Sequence, residues 1–147
     1  MTEIQDLQND IGETNGKSGF NLYQSLPEEH RANYIGNKLM LVASELAEAQ
    51  DEIRTGHGIT ETYYPAGPVP ASLAVEFTNG ADAKEYWEAR HAASKGLKKP
   101  EGFPSEIADA VIRLFGIAYE VDIDLEDIIR KKMAYNATRE FMHGKKF

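Results

Sequence analysis

The chain has 147 residues, 41% of them hydrophobic and 27% charged, with no cysteine and a formal net charge of −8. These figures describe one globular domain, residues 1–147, with a core of its own, and they rule out a disulfide framework. No apolar run approaches the roughly 18 residues of a membrane span, and the acidic excess argues against sequence-independent binding to nucleic acid.

The first residues are polar and acidic, without the basic region and apolar stretch of a signal peptide, which places the protein in the cytoplasm. Ile4, Leu7 and Ile11 mark a short amphipathic helix that the Gly12 to Gly19 stretch should end. Gly12-Glu13-Thr14-Asn15-Gly16-Lys17-Ser18 imitates a phosphate-binding loop. It has three residues between the glycines instead of four and follows a polar helix rather than a buried strand, so the imitation carries no function.

Ser25-Leu26-Pro27-Glu28 has the form of a capping box and predicts a long helix from near Leu26 to about Arg54. Ile35, Leu39, Val42, Leu46, Ala49 and Ile53 give it one apolar face. Beside that face, taking Glu45 as the reference, Glu48 falls roughly 60° and Glu52 roughly 20° away, so three carboxylates share one narrow strip. Like charges at this spacing repel. The strip continues as Leu41 and Lys38, the latter read as a substrate contact, so a cation is expected against a half-buried acidic edge.

From Gly56 to Gly102 the composition changes, with Pro65, Pro68 and Pro70 close together and an alternation at Leu73, Val75 and Phe77 that predicts one strand. This insertion, about 56–102, also holds a predicted short helix from about Ala81 to Ser94, in which Tyr86 and Trp87 are read as packing residues. Pro104 opens a helix so apolar that it should lie inside the fold. Its polar exceptions, Glu106, Asp109 and Arg113, repeat the angles of Glu45, Glu48 and Glu52. Asp124 caps a last helix on which Leu125, Ile128 and Ile129 start a face that continues as Lys132, Asn136 and Arg139. A basic tail ends the chain. The expected architecture is all-α: a bundle of four main helices with an irregular insertion between the two that carry acids.

Glu-x-x-Glu facing Glu-x-x-Asp would bring four carboxylates together, an arrangement that needs protons or metal. Oxygen-only ligation suits Mg²⁺, with Mn²⁺ as a substitute, and Mg²⁺ commonly completes its shell with phosphate and water. Lys132 and Arg139 would then face the remaining phosphates.

At these residues the sequence resembles the MazG-like all-α nucleoside triphosphate pyrophosphohydrolases. The resemblance rests on Glu45, Glu48, Glu106 and Asp109 for the paired acidic motif, and on Lys132, Asn136 and Arg139 for the motif that follows. It implies Mg²⁺-dependent hydrolysis of a nucleoside triphosphate to monophosphate and pyrophosphate in a homodimer or homotetramer. The four acids would hold the metal, Glu45 or Glu48 would help activate water, and Lys132, Asn136 and Arg139 would bind phosphate or sugar. Glu52 stays open between ligand, base and bystander. The departure from the family is the long connection, residues 49–105, for which a lid or subunit interface is expected at Tyr63 to Ser94.

Three rivals stand beside this reading. One is a phosphoribosyl-ATP pyrophosphohydrolase of the same fold. Another is a carboxylate-bridged di-iron protein using Glu88-x-x-His91 and Glu140-x-x-His143, and the third is an acidic helical adaptor without activity.

Overall fold

The computed structural model describes residues 3–139. Among these lie six α-helices: α1 (Glu3–Lys17), α2 (Glu28–Arg54), α3 (Ala71–Ala74), α4 (Gly80–Ala93), α5 (Phe103–Glu120) and α6 (Leu125–Ala137). The only β-type pairing among them is an isolated antiparallel bridge between Tyr63 and Glu101. The protein is therefore all-helical, and none of these helices is long and apolar enough to cross a membrane. The basic tail and the pair Glu140 and His143 lie outside the described residues.

The helices gather into two units, one from the chain up to Glu45 and from Asp109 onward, the other from Leu46–Ala108. The division falls inside α2 and α5, each of which is unbroken.

In the first unit α1 packs against α6. As expected, α1 ends inside the Gly12 to Gly19 stretch, though only at Lys17; it passes through Gly12, which is buried and whose missing side chain lets the ring of Tyr119 on α5 lie directly against the backbone. The helix ends where Gly19 takes φ 79°. Gly19 N–H then donates to Gly16 O at 3.0 Å and Phe20 N–H to Asn15 O at 2.9 Å, the paired bonds of a Schellman end. Ser25 does not cap α2, for its hydroxyl donates to Leu22 O at 2.7 Å and closes a 3₁₀ turn instead. The helix accordingly starts at Glu28 rather than Leu26.

A buried carboxylate ties this unit together. Glu120 Oε1 lies 2.8 Å from Lys38 Nζ and 2.9 Å from the Tyr34 hydroxyl, and it accepts the Leu22 N–H at 3.1 Å. One acid at the end of α5 thus fixes α2 and the segment before it.

The second unit holds the end of α2, the crossover and the start of α5. Here Tyr63 exchanges backbone hydrogen bonds with Glu101, at 3.1 and 2.9 Å, and stacks on His57 at 4.4 Å. The Trp87 indole N–H donates to Ala66 O at 2.8 Å, so α4 is pinned to the proline-rich segment. The strand expected at Leu73 to Phe77 does not form. Pro70 leads instead into the single turn of α3, and Val75 N–H and Phe77 N–H bond back to Ala71 O and Ala74 O. Asn79 caps α4 by accepting from Asp82 N–H at 2.9 Å, and Asp124 caps α6 by accepting from Asp127 N–H at 2.9 Å. The second of these is as the sequence predicts.

The expected burial of α5 is also corrected. Its buried apolar positions are small, Ala110 and Ala118, with Gly116 between them, whereas Val111, Ile112 and Leu114 are 39%, 41% and 44% exposed. Leu39, Met40 and Leu46 on α2 and Met133 on α6 are more exposed still.

Candidate metal centre

Glu45 lies on the α2 face that also buries Val42 and Ala49, three residues before and four after it. That spacing draws its carboxylate into the protein, where it is only 6% exposed. On α5, Glu106 is equally buried and Asp109 half-buried, one turn further along and next to buried Ala110. Asp109 brings a carboxylate oxygen within 4.8 Å of one from Glu45, in the same unit, and within the same distance of one from Glu106, its neighbour on the helix. Asp109 thus has one motif acid, Glu45, beside it in the first unit and another, Glu106, one turn before it on α5.

The group carries its own counter-charge. Arg113, one turn beyond Asp109, donates its Nε hydrogen to Glu45 Oε1 at 2.6 Å. One guanidinium thus stands against the carboxylates of Glu45 and Asp109, a pairing to which a divalent cation would add further positive charge. The donor set is oxygen only, which fits a hard ion such as Mg²⁺ or Mn²⁺ better than zinc or iron.

Glu48, one turn after Glu45, is exposed and does not join the carboxylates around Asp109. Glu52 has another partner. The Tyr63 hydroxyl lies 3.1 Å from each of its two oxygens, one proton shared between them. Loss of water around the phenol and, after it, the Glu52 carboxylate push the Tyr63 pKa up from its ordinary 10.0. Glu52 is therefore joined to the crossover.

Asp109 and Arg113 open on a cavity of about 360 Å³ within the first unit. Phe20, Leu41, Ile112 and Ile117 give it apolar walls, and Asn15 and Lys38 add polar groups. Lys38 is already engaged, by Glu120 and by Phe20 O at 3.0 Å, with its ammonium over the Tyr34 ring. Lys132, Asn136 and Arg139 are exposed on and just beyond α6, and none of them lines this cavity. Lys132 lies over the ring of Tyr135, three residues on.

No protein-family model, curated protein or solved structure matches the chain.

The sequence reading missed the role of Arg113, although the signal was present. Arg113 is the third member of the polar strip on α5, four residues after Asp109, where a cation faces the same neighbours as the acid. The motif Glu88-x-x-His91 lies on α4, with Glu88 paired to Lys84 at 3.7 Å and His91 Nε2 3.1 Å from Tyr64 O. Neither belongs to the group around Asp109.

Proposed function

We propose that the protein is a Mg²⁺-dependent nucleoside triphosphate pyrophosphohydrolase, acting by water attack at the α-phosphorus. The observation that carries this reading is the approach of Glu45 and Asp109, with Arg113 bonded to Glu45 and Glu106 one turn before Asp109 on the same helix. The order of the acidic and basic motifs, as in the MazG-like family, supports it.

In this reading Glu45, Glu106 and Asp109 hold the ion, and Glu48 joins them or acts as the base. A bound Mg²⁺ would neutralise phosphate oxygens and acidify a water. The remaining steps fall to the chain. Exposed Glu48 can reorient towards a water without breaking a buried contact, which suits it to accept a proton. Arg113 orients Glu45 through its Nε hydrogen bond. The cavity beside Asp109 excludes water from one side of the site and offers apolar walls to the nucleoside. Lys132, Asn136 and Arg139 take the phosphate chain or sugar.

Association of like chains belongs to the same reading. Leu39, Met40, Ile112 and Met133 are exposed, and a homodimer or homotetramer of four-helix bundles would cover such apolar side chains. The reaction is placed in the cytoplasm.

The test is product analysis with a panel of ribo- and deoxyribonucleoside triphosphates and Mg²⁺, with Glu48→Gln and Asp109→Asn variants alongside. Monophosphate plus pyrophosphate, lost in both variants, is expected. Absence of turnover across the panel would overturn the reading.

A further inference from the structure

A second cavity, of about 640 Å³, lies in the first unit between α1 and the turn joining α5 to α6. Among the described residues its lining includes Gln8, Asn21, Glu120, Asp122 and Asp124, with the rings of Tyr23 and Tyr119, and neither lysine nor arginine. Three of these side chains have a buried oxygen without a partner among the described residues: Gln8 Oε1, Asn21 Oδ1 and Glu120 Oε2. Gln8 is 3% and Glu120 6% exposed.

The chemistry of the three oxygens is fixed by what their other atoms do. Gln8 Nε2 donates to Ile123 O at 2.8 Å and Asn21 Nδ2 donates to Gly12 O at 2.8 Å. Turning either amide over would set its oxygen against a carbonyl, so each must present an acceptor. Glu120 commits Oε1 to Lys38, Tyr34 and Leu22 and leaves Oε2. The cavity therefore offers acceptors, and its missing partner is a donor. Lys38 offsets the charge of Glu120 and Lys131 lies near Asp124, but among the described residues Asp122 and Asp124 form no ion pair, and the only charged side chains of the lining are acids.

We propose that this cavity binds an N–H-rich organic cation, a linear polyamine. A bare metal ion fits it poorly, since the volume is many times that of an ion and two aromatic rings are of no use to one. A chain of methylenes with ammonium groups matches both parts, because the rings accept the stem and attract the charge while the oxygens accept the N–H groups. The Tyr23 ring already attracts one cation in this way, Arg31, whose guanidinium carbon lies 5.2 Å from the ring centre.

The experiment is calorimetric titration of the full chain with spermidine, at a salt concentration that screens diffuse attraction to an acidic surface. Agmatine and Ca²⁺ are titrated in parallel, and the variants are Gln8→Met, Asp122→Asn and Glu106→Gln. Saturable one-to-one binding is expected, weakened at least about tenfold by Gln8→Met, which removes an acceptor for a charged donor. Should Gln8→Met fail to fold, Asp122→Asn decides the question. Its position has φ 56°, a conformation asparagine also adopts, and loss of one exposed charge should weaken binding up to about fivefold. Glu106→Gln, at the other acid group, should leave the affinity unchanged. Stronger binding of agmatine than of spermidine would still support an organic cation, with a guanidinium as its head. The proposal is overturned by absence of saturable binding, by an Asp122→Asn affinity equal to that of the unaltered chain, by loss of binding in Glu106→Gln, or by Ca²⁺ binding at the site more tightly than either amine.

Discussion

Arg113 donates to Glu45 at 2.6 Å, and the carboxylate that receives this bond is buried while the guanidinium is 41% exposed. The arginine side therefore pays little desolvation, and the acid side depends on it. Arg113→Leu should lower stability by about 1 kcal/mol in a chelator, because Glu45 is left with less compensation among acids. In Mg²⁺ the same variant should recover more than the unaltered chain does, since the group then carries a further negative charge for the ion to neutralise. Asp109→Asn should abolish the Mg²⁺-dependent rise in melting temperature. Thermal melts across a Mg²⁺ titration measure all three, and an unchanged Mg²⁺ response in Asp109→Asn would remove the acid group from consideration as a metal site.

Lys38 gives a second test, separating support from substrate binding. Its ammonium neutralises Glu120, whose side chain is only 2% exposed. Lys38→Met would leave a buried carboxylate without its counter-charge and should cost about 3–5 kcal/mol. The double variant Lys38→Met/Glu120→Gln should recover much of that loss, because both charges are gone. A folded, stable Lys38→Met chain whose only defect was a raised KM would instead return Lys38 to the substrate-contact role expected from sequence.

What the sequence disclosed and what it hid divide on the range of the interactions concerned. The cap at Asp124 and the span of α4 rest on residues a few positions apart and were legible, and repeated helical spacing also singled out Glu45 and Asp109, which lie close together, while Glu48, named with them, is exposed. The stretch in which α1 ends was legible from its glycines, but the packing of Gly12 against Tyr119, far along the chain, was not. The alternation at Leu73 to Phe77 looked like a strand because period two is short and ambiguous, and Pro70 had already set the chain into a turn. The apolar run on α5 promised burial, but hydropathy cannot say whether the cover comes from the same chain.

Gly12 itself makes a sharp packing test. A methyl group there would run into the base of the Tyr119 ring, close to the α5 backbone, where rotation of the side chain offers no escape. Gly12→Ala should therefore force α1 and α5 apart and cost about 1–3 kcal/mol in spite of the better helix propensity of alanine. Denaturant unfolding of Gly12→Ala, Tyr119→Leu and the double variant would show it, with the two changes coupled and not additive. Independent, additive effects would mean that the ring does not rest on the glycine.

The Tyr63 hydroxyl on Glu52 makes stability depend on pH in a direction that can be worked out. Its pKa is raised above the ordinary 10.0, first by loss of water and then by the Glu52 carboxylate. A raised folded-state pKa means that the contribution to stability is complete below the unfolded value and is lost as pH rises through the folded one. The unaltered chain should therefore exceed Tyr63→Phe in stability by a constant margin up to about pH 9, and the margin should shrink steadily towards pH 11. Glu61 behaves in the opposite sense. Its pKa is lowered, chiefly by the backbone N–H of Gly58 and then by His57, so its contribution is present above its ordinary 4.5 and lost as pH falls below that. Urea unfolding of the unaltered chain, Tyr63→Phe and Glu61→Gln from acid to alkaline pH separates the two limbs. A Tyr63→Phe difference that stayed flat through pH 11 would show that the phenol does not hold Glu52, and the crossover would then have no polar hold on the end of α2 at that point.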